Sequence, residues 1–574
     1  MNRLILASLV AALALSGTSA IAGDYNLTID RQDVDVGGRH GMSLTINGQL
    51  PGPTLHFKEG EDVTINVTNK LDEDTSLHWH GLLLPGEMDG VPMFNNFPGI
   101  KPGETFTYNF KIRQSGTYWY HSHSGGQEQE GLYGSIVITP ADREPAPTDR
   151  DYVVVLSDFT TESADEILSN LKSDSGYYNY ARRTVGDFFR DAADKGLGTT
   201  LRDRFMWGDM RMDPTDLADV TGYTFLVNGK SAEANWTALY NKGERVRLRF
   251  INASAMTYFD LAIPGLKMIV VAADGQNVQP VVVDEIRIAI AETYDVIVVP
   301  KDDKPYTIFA QSIDRTGYAR GTLAPREGMT APVPPMRARS LLTMADMGMS
   351  DMEGMDHSNM DMSGMDMKGM DHSTMDMSGM DHSKMDMKGM DHSKMDMGNM
   401  HAMHGAKPAA DTEAEKQPMG WASGAPSGTK VLRYADLKSL KIQKDTRPEE
   451  REIIVRLGGT MERYIWTLNG KKYADAEPIN LKFGERVKLT FINDTMMAHP
   501  MHLHGMFVQL VNGQPAERLP NKHMVSVPPG QSYSAMLTAD EAGEWAFHCH
   551  LLFHMESGMM NKVVVARLAK EAAK

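Results

Sequence analysis

The sequence SLTINGQLPGPTLHFKEGEDVTINVTN, from Ser43 to Asn69, occurs in three related versions along the chain. The other two are TFLVNGKSAEANWTALYNKGERVRLRFIN (Thr224 to Asn252) and IWTLNGKKYADAEPINLKFGERVKLTFIN (Ile465 to Asn493). Each version has an Asn-Gly turn, a Gly-Glu pair and then alternating apolar residues, which is typical of a turn followed by a half-buried strand. The repeats therefore predict an all-β protein with three β-sandwich or β-barrel domains.

Histidines follow the first and third versions of the repeat at matched distances. The first version continues into HWHG (His78 to Gly81), and the third continues into HPMHLHG (His499 to Gly505). At the places of His499, His502 and His504, the second version has Tyr258, Leu261 and Ile263. The middle domain therefore lacks these candidate metal ligands.

A second pair of segments also matches, and it contains the only cysteine of the 574 residues. GTYWYHSHS (Gly116 to Ser124) aligns with GEWAFHCHL (Gly543 to Leu551), so that Ser122 stands at the position of Cys549. A lone cysteine is usually a small buried apolar residue. Here, strand alternation places His548 and His550 on one face and Cys549 on the other, so one strand can serve two metal sites.

The residues after this strand extend the candidate ligand set. His554 and Met559 follow Cys549, and one more histidine from elsewhere would complete the ligands of a blue-copper electron-transfer site, with methionine as the long axial ligand. Four His-x-His pairs exist in all: His78/His80, His121/His123, His502/His504 and His548/His550. A single pair is more often a chance feature, but four at matched repeat positions predict a copper cluster where the first and third domains touch.

These motifs resemble the signature segments of the three-domain multicopper oxidases, HxHG, HxH, HxxHxHG and HCHxxxHxxxGM, which read here HWHG, HSH, HPMHLHG and HCHLLFHMESGM. The resemblance implies cupredoxin-like Greek-key domains and four copper ions. It implies a type-1 copper on His499, Cys549, His554 and Met559, and a type-2 copper on His78 and His502. The ligands implied for the type-3 pair are His80, His121, His123, His504, His548 and His550. MDGVP, RQSGTYWYHSHSG and a Met/His-rich insert look most like the CopA/PcoA copper-resistance type.

Three functions are open on this basis. The favoured one is a periplasmic copper-resistance oxidase that takes electrons from Cu(I) and reduces O2 to water, with Cys549 as the conductor between the copper sites. The second is a laccase-like oxidase of phenols or amines. The third is a copper-sequestering protein that acts through its Met/His repeats, although an intact His-Cys-His motif argues against pure storage.

Proton supply is predicted for one residue only. Asp89, in the loop PGEMDG, stands where the family places an acid beside the type-2 copper, so it is assigned with Cys549 to catalysis. The alternative is an ordinary aspartate in a Gly-rich turn. Where related enzymes carry a glutamate after the second type-1 histidine, this chain has Met555 and then Glu556, which leaves the second proton donor open.

The segment from Met344 to His404 repeats MDHSxMDMxG with a period near ten and lacks the residues needed for a core, so it is expected to be largely disordered without a ligand. Its thioethers favour Cu(I), and the histidines among them also bind Cu(II): His357, His372, His382 and His392. The hypothesis is that it binds additional copper and passes cuprous ions to the type-1 site. The alternative is a spacer between domains.

The expected domain boundaries follow from these features. We predict a signal peptide at 1–22, cupredoxin domains at 23–145, 146–335 and 431–574, and a Met/His-rich insert at 336–430. A capping-box pattern at Ser163 and Glu166 predicts a helical insertion at about 163–212. The insertion contains Met206, Met210 and Met212, expected to be core, with a second cuprous patch as the alternative. His40, His56 and His523 fit no motif and are assigned as structural.

The N-terminal leader and the net charge limit the expected cellular location and the expected binding partners. Arg3, an apolar run from Leu4 to Leu15 and the ending Ala20-Ile21-Ala22 indicate a secretory signal, although the CopA type commonly carries two arginines there. The net charge of −17 argues against nucleic acid as a partner. We expect a periplasmic monomer that uses O2 and Cu(I) or a phenolic reductant, with outer-membrane or periplasmic copper-resistance proteins as candidate partners.

Overall fold

The computed structural model describes residues 23–209, 212–343 and 424–567. The predicted signal peptide, the Met/His-rich repeats from Met344 to His404 and Met210 lie outside these residues. The described chain consists mostly of β-strands with four α-helices, which confirms the prediction of an all-β protein. Six sheets form three sandwiches, and the predicted domain boundaries, which fall between them, remain predictions.

The first sandwich has a sheet of order β2-β1-β4-β6 and a sheet of order β3-β8-β7-β5. Its strands are β1 (Gly23–Val36), β2 (Arg39–Ile46), β3 (Gly52–Lys58), β4 (Asp62–Asn69), β5 (His78–His80), β6 (Thr105–Lys111), β7 (Gly116–His121) and β8 (Tyr133–Thr139). Its apolar core is built from residues such as Ile29, Ile65 and Trp79, all of which are fully buried. Strands β5 and β7 are neighbours, with His78 opposite His121.

The second sandwich also carries the helices of the predicted insertion. Its elements are β9 (Arg150–Phe159), α1 (Ala164–Ser173), α2 (Val185–Lys195), α3 (Leu197–Asp209), β10 (Thr224–Val227), β11 (Trp236–Leu239), β12 (Val246–Asn252), β13 (Phe259–Ala262), β14 (Met268–Ala273), β15 (Gln276–Val283), β16 (Glu285–Ile288), β17 (Thr293–Val298), β18 (Tyr306–Ser312) and β19 (Tyr318–Ala324). The Ser163 side chain caps α1 by accepting from the Glu166 N–H at 3.2 Å, as the sequence pattern predicts.

The third sandwich contains the remaining strands and one short helix. Its elements are β20 (Arg451–Thr460), β21 (Ile465–Leu468), β22 (Ile479–Lys482), β23 (Arg486–Asn493), β24 (His499–Leu503), β25 (Val508–Val511), β26 (Asn521–Lys522), β27 (Met524–Val527), β28 (Ser532–Thr538), β29 (Gly543–Cys549), α4 (Leu552–Glu556) and β30 (Met560–Ala566). One continuous apolar core runs through the second and third sandwiches. Among the described residues, no helix has the length and apolar character needed to cross a membrane.

The Asn-Gly turns of the repeat have the same geometry in each sandwich. Asn47, Asn228 and Asn469 have positive φ of 54°, 49° and 52°, and each is followed by a glycine with positive φ, which is the pattern of a type I′ hairpin turn. Each asparagine Oδ1 also accepts a backbone N–H at 2.7 Å, from Thr28, Val155 and Arg456 respectively. The turn residues therefore specify the same link in each sandwich, from β2 to β3, from β10 to β11 and from β21 to β22.

The closing asparagine of each repeat is buried and holds the loop that follows it. The side-chain amide of Asn69 donates to the carbonyls of Glu73 and Ile100 at 2.8 Å. Asn493 donates in the same way to Met497 at 2.7 Å and to Val527 at 3.0 Å. Because buried amide groups need partners, these bonds fix the loop that leads into the histidine strand. The repeat thus positions the residues that lie just beyond it.

Candidate metal centres

Four strands bring the predicted histidines to the boundary between the first and third sandwiches. Strands β5 and β7 supply them from one side, and β24 and β29 from the other, with His502 opposite His548. The rings of His78 and His504 lie 3.8 Å apart, and those of His80 and His502 stack at the same separation of 3.8 Å. The two sandwiches therefore meet at the histidines, as the paired motifs predict.

The eight imidazoles, called the histidine cluster below, form two triplets and a remaining pair. His80, His121 and His550 make one triplet, and candidate ligand atoms of the three lie within 4.8 Å of one another. His123, His504 and His548 make the other, with His504 Nε2 and His123 Nε2 at 3.1 and 3.4 Å from His548 Nε2. His78 and His502 form the pair and group with His80. Each triplet takes residues from both sandwiches.

Backbone and carboxylate acceptors orient these rings. The Nδ1–H groups of His78, His502 and His548 donate to the carbonyls of Asp89, His523 and Cys549 at 2.8, 2.9 and 2.9 Å. Because Nδ1 of these three rings is already hydrogen-bonded, Nε2 is the nitrogen that is left to bind a metal ion. The Nε2 atoms of His78, His502 and His550 are buried and have no hydrogen-bond partner among the described residues. Unpaired buried nitrogens that face one another are what a metal cluster requires.

Burial keeps most of these imidazoles neutral. Desolvation, followed by the neighbouring histidines, holds the pKa well below its usual value for His80, His121, His123, His502, His504 and His550. For His548, desolvation lowers the pKa to about 3. A neutral imidazole has a lone pair available for a metal ion. The cluster is therefore ready to bind metal at neutral pH.

A second centre, formed by Cys549, His499 and His554 and called the thiolate centre below, lies on the other face of β29. Cys549 Sγ is 3.6 Å from His499 Nδ1 and 3.8 Å from His554 Nδ1, and all three residues are buried. The Nε2 atoms point outward, to the Thr495 hydroxyl and to Asp219 Oδ2, each at 2.7 Å. Burial raises the pKa of the Cys549 thiol, so a bound cation is needed to favour the thiolate. One sulfur and two Nδ1 atoms make a soft trigonal donor set.

Met559 is completely buried close to this centre. Its N–H donates to the His554 carbonyl at 2.9 Å, and its carbonyl accepts from the Cys549 N–H at 3.0 Å. The backbone therefore places Met559 beside two members of the thiolate centre, where the family resemblance assigns an axial ligand. Trp466 stacks on the His554 ring, with the ring centroids 3.8 Å apart.

Asp89 lies between two of the cluster histidines and is almost completely buried. Its Oδ2 accepts from His504 Nδ1 at 2.8 Å, and its Oδ1 lies 3.3 Å from His78 Nδ1. Gly90 has φ of +79°, and a Cβ there would lie 1.8 Å from the Leu77 carbonyl oxygen. Asp89 therefore lies in a Gly-rich turn and also contacts the cluster. Both are possible because Gly90 allows the turn to pack at a place from which Asp89 reaches both rings.

Three residues at these centres were not predicted. Glu128 Oε2 lies 2.9 Å from His121 Nδ1, and Oε1 lies 3.8 Å from His550 Nδ1. Asp219, from the second sandwich, accepts from both His554 Nε2 and the Tyr464 hydroxyl at 2.7 Å. His523, assigned as structural, is buried beside His80, with ring centroids 4.8 Å apart. For Glu128, an acidic residue five positions after His123 was the available signal.

Gly81, the last residue of HWHG, makes room for His523. It has φ of +80°, and a Cβ at this position would lie 2.5 Å from His523 Cδ2. The other two unassigned histidines, His40 and His56, are exposed and lie on β2 and β3. Met206 and Met212 are half-buried, and Met212 packs against the main core.

In the described part of the middle sandwich, no group of possible metal ligands takes the place of the histidines. Tyr258, Leu261 and Ile263, which replace the three histidines of the third repeat, are buried members of the main apolar core. The Tyr258 hydroxyl pairs with the Ser526 hydroxyl at 2.9 Å. These residues are therefore packing residues.

A cavity of about 610 Å³ opens between the first and third sandwiches. It is lined by His123 on one side and by Met555, Glu556 and Tyr473 on the other. Burial raises the pKa of Glu556. The half-buried ring of His123 thus gives the histidine cluster a connection to this cavity.

Three sandwiches, a thiolate centre and an interdomain histidine cluster define a copper-dependent electron-transfer protein. Multicopper oxidase models match residues 28–143, 150–328 and 445–568, and the chain belongs to the multicopper oxidase family. It is therefore an oxidoreductase with copper cofactors, and its family uses O2 together with a reductant such as Cu(I) or a phenol.

Two relatives cover nearly the whole chain. It is 52% identical to copper resistance protein A of Escherichia coli, over 97% of this chain and 94% of that protein. It is 53% identical to copper resistance protein A of Pseudomonas syringae pv. tomato, over 96% of this chain and 93% of that protein. The fold resembles the crystal structure of Fet3p, described as a multicopper oxidase that functions in iron import, with a TM-score of 0.65, 19% identity and coverage of 95% and 90%.

Proposed function

We propose that this chain is a periplasmic cuprous oxidase, which takes electrons from Cu(I) at the thiolate centre and delivers them to dioxygen at the histidine cluster. Strand β29 carries this proposal. Cys549 belongs to the thiolate centre, and its neighbours His548 and His550 belong to the two separate triplets. The balanced reaction consumes four Cu(I), one O2 and four protons, and it yields four Cu(II) and two water molecules.

In this proposal, the donor sets hold four resident copper ions. His499, Cys549, His554 and Met559 would hold the type-1 ion, and His78 with His502 the type-2 ion. The two triplets, His80/His121/His550 and His123/His504/His548, would hold the type-3 pair. Bound copper supplies one-electron exchange and four-electron oxygen reduction. The soft donors at one centre and the neutral, unpaired imidazoles at the other support this assignment.

The chain's own residues orient the ligands and handle protons. Asp89 holds the Nδ1–H of His504 and stands beside His78, where a proton for reduced oxygen is needed. Glu128 Oε2 lies 2.9 Å from His121 Nδ1, whose N–H donates to the Ser122 carbonyl at 2.9 Å, on the other side of the cluster. We assign proton assistance to Asp89 and orientation of the type-3 ligands to both carboxylates.

Cu(I) fits the outer edge of the thiolate centre better than a phenol does. The edge of His554 is occupied by Asp219, and the flanking Tyr464 and Trp466 are completely buried. The rings at this edge have no exposed face against which a phenol could stack, whereas Cu(I) prefers thioether donors, which the methionines of the Met/His-rich segment could bring there. Two relatives are named copper resistance protein A, which supports a role in copper handling.

The Met/His-rich segment has a suitable starting point for supplying such ions. Leu342, the next-to-last described residue before it, donates its N–H to the Pro214 carbonyl at 2.8 Å. Pro214 belongs to the same loop as Asp219. We propose that the segment binds additional copper and passes cuprous ions to this loop. Unchanged rate and apparent affinity for Cu(I) after deletion of Met344 to His404 would contradict that role.

The decisive experiment measures oxygen uptake by the copper-loaded protein with Cu(I) as the only reductant. We expect one O2 consumed for four Cu(I), loss of uptake in Cys549→Ser, and much slower uptake with a phenolic reductant. Faster uptake with the phenol would favour a laccase-like function. Stoichiometric copper binding without uptake from either reductant would favour sequestration.

Location and assembly complete the proposal. The predicted signal peptide places the enzyme in the periplasm, where copper-resistance proteins of the outer membrane or periplasm are candidate partners. One chain contains every ligand of both centres, so a monomer is sufficient. Cell fractionation and analytical ultracentrifugation test these two points.

A further inference from the structure

The helical insertion carries an unusual amount of exposed apolar surface. Seven of the fifteen large hydrophobic side chains that are exposed in the described residues lie between positions 177 and 205. They are Tyr177, Tyr180, Val185, Phe189, Leu197, Leu201 and Phe205. Phe189 and Phe205 are 67% and 75% exposed. A concentration of exposed apolar side chains of this kind on a folded protein marks a surface that something covers.

Five of these residues are arranged along two adjacent helices. Leu197, Leu201 and Phe205 follow one another at intervals of four on α3, so they share one face. Val185 and Phe189 have the same spacing on α2. An ion pair of 3.0 Å between Arg204 and Asp191 holds the two helices against each other. We call these five side chains the apolar stripe.

We propose that the apolar stripe is the docking surface for the start of the Met/His-rich segment of the same chain, Met344 to Met355. The chain reaches the stripe from a fixed point. Leu342 is buried in the main core and bonded to Pro214, and the nearby Met212 N–H donates to the Trp207 carbonyl in the last turns of α3 at 3.1 Å. The segment thus begins beside the end of α3 that carries Phe205.

The lengths agree with this placement. The stretch of α3 from Leu197 to Phe205 is about 12 Å long at 1.5 Å per residue. Ten residues of extended chain reach about 33 Å. The sequence MADMGMSDMEGM therefore has ample length to cover the stripe from the Phe205 end.

The chemistry of the two partners is complementary. Met344 to Met355 contains five methionines and no aromatic residue, so it cannot form a core by itself. The stripe presents two phenylalanines without cover, and thioether sulfurs make favourable contacts with aromatic rings. Docking also holds these thioethers near the loop of Asp219. That consequence for copper delivery rests on the proposed function, whereas the docking itself does not.

Hydrogen exchange measured by mass spectrometry tests the docking. The whole chain is compared with a variant that lacks Met344 to His404, and with Phe189→Ser/Phe205→Ser in the full chain. We expect several-fold faster exchange of α2 and α3 in the deletion variant, and faster exchange of Met344 to Met355 in the double variant. Ile442→Ser, at a residue 65% exposed elsewhere on the surface, is the matched control and should change neither.

Three outcomes would overturn the proposal. The first is equal exchange of α2 and α3 with and without the segment. The second is protection that persists in the deletion variant and increases with protein concentration, which would identify a second copy of the chain as the occupant. The third is an effect of Ile442→Ser equal to that of the double variant. Unchanged exchange of β9 to β19 verifies that each variant is folded. Because exchange needs no turnover, failed docking and failed Cu(I) oxidation are distinguishable.

Discussion

The second and third sandwiches have the same architecture, but of these two only the third contributes described residues to groups that could hold a metal. In the second, the sheets have the orders β10-β9-β12-β17-β14-β15 and β11-β19-β18-β13-β16. In the third, the equivalent orders are β21-β20-β23-β28-β25-β26 and β22-β30-β29-β24-β27. Strand β13 occupies the place of β24, and it contributes Leu261 to the core where β24 contributes His502 to the cluster.

This comparison shows that the sandwich does not need a metal to form. The middle sandwich closes around tyrosine, leucine and isoleucine at the positions that hold histidines in the third. No histidine occurs anywhere between His123 and His357. The candidate ligands therefore occupy positions that the same architecture also fills with apolar residues, and function is a property of the site.

The double variant His502→Leu/His504→Ile gives the third sandwich the middle sandwich's residues, and it has the largest expected effect. Removal of a residue that only hydrogen-bonds to a metal ligand lowers activity roughly 10- to 100-fold. Oxygen uptake falls by more than this in the double variant, because both residues are proposed as direct ligands. The metal-free variant remains folded in denaturant titrations, since apolar residues replace buried imidazoles. Failure of the metal-free variant to fold would show that the third sandwich depends on its histidines.

The reverse exchange, Leu261→His, introduces an unpartnered imidazole into the core of the middle sandwich. We expect a loss of about 3 kcal/mol in the free energy of unfolding, from lost apolar contacts and an unpaired polar group. Copper content does not increase, because no facing ligands surround this position. Leu261→Met is the control and costs less than about 1.5 kcal/mol. An extra bound copper ion would contradict the interpretation.

Glu128→Ala sharpens a second comparison, between the first and third sandwiches. Glu128 follows His123 by five residues, and at the matching place after His550 the chain has Met555. Loss of the carboxylate that orients His121 should lower oxygen uptake about 10-fold and weaken copper binding in the cluster. Glu128→Gln, which keeps an oxygen beside His121 Nδ1, should recover most of both. The control is Glu130→Gln, which removes an ion pair to Arg31 at the surface. Equal losses in all three variants would rule out the orienting role.

The metal-free protein should lose stability in acid, and first at the histidine-bearing strands. The pKa values of the buried imidazoles are lowered by desolvation, to about 3 for His548, against about 6.5 for an unfolded histidine. Below pH 6.5 the unfolded chain therefore binds protons that the folded chain does not. Each such group reduces the free energy of unfolding by about 1.4 kcal/mol per pH unit as the pH falls.

Hydrogen exchange at pH 7 and pH 5 locates this effect. Protection should decrease at β5, β7, β24 and β29, while β9 to β19, which contain no histidine, change little. Uniform loss across all three sandwiches would contradict the assignment of acid sensitivity to the cluster.

Much of the site could be predicted because its residues belong to short motifs within repeats. His548, Cys549 and His550 alternate across one strand, so their division between two centres follows from chain geometry. Asp219 and Glu128 could not be assigned in this way. Asp219 precedes His554 by 335 positions, and no periodicity links them. Glu128 is closer in sequence to its partner, but an acidic residue in a loop points equally well to solvent.

The sequence by itself determined the three sandwiches, the candidate ligands and the lack of histidines in the middle repeat, because turns, strand alternation and motif spacing are local properties. Only the tertiary structure decided which imidazoles share a triplet, which carboxylates orient them and where the helical insertion exposes its apolar stripe. These features depend on the packing of one sandwich against another, which brings together residues that are hundreds of positions apart in the chain.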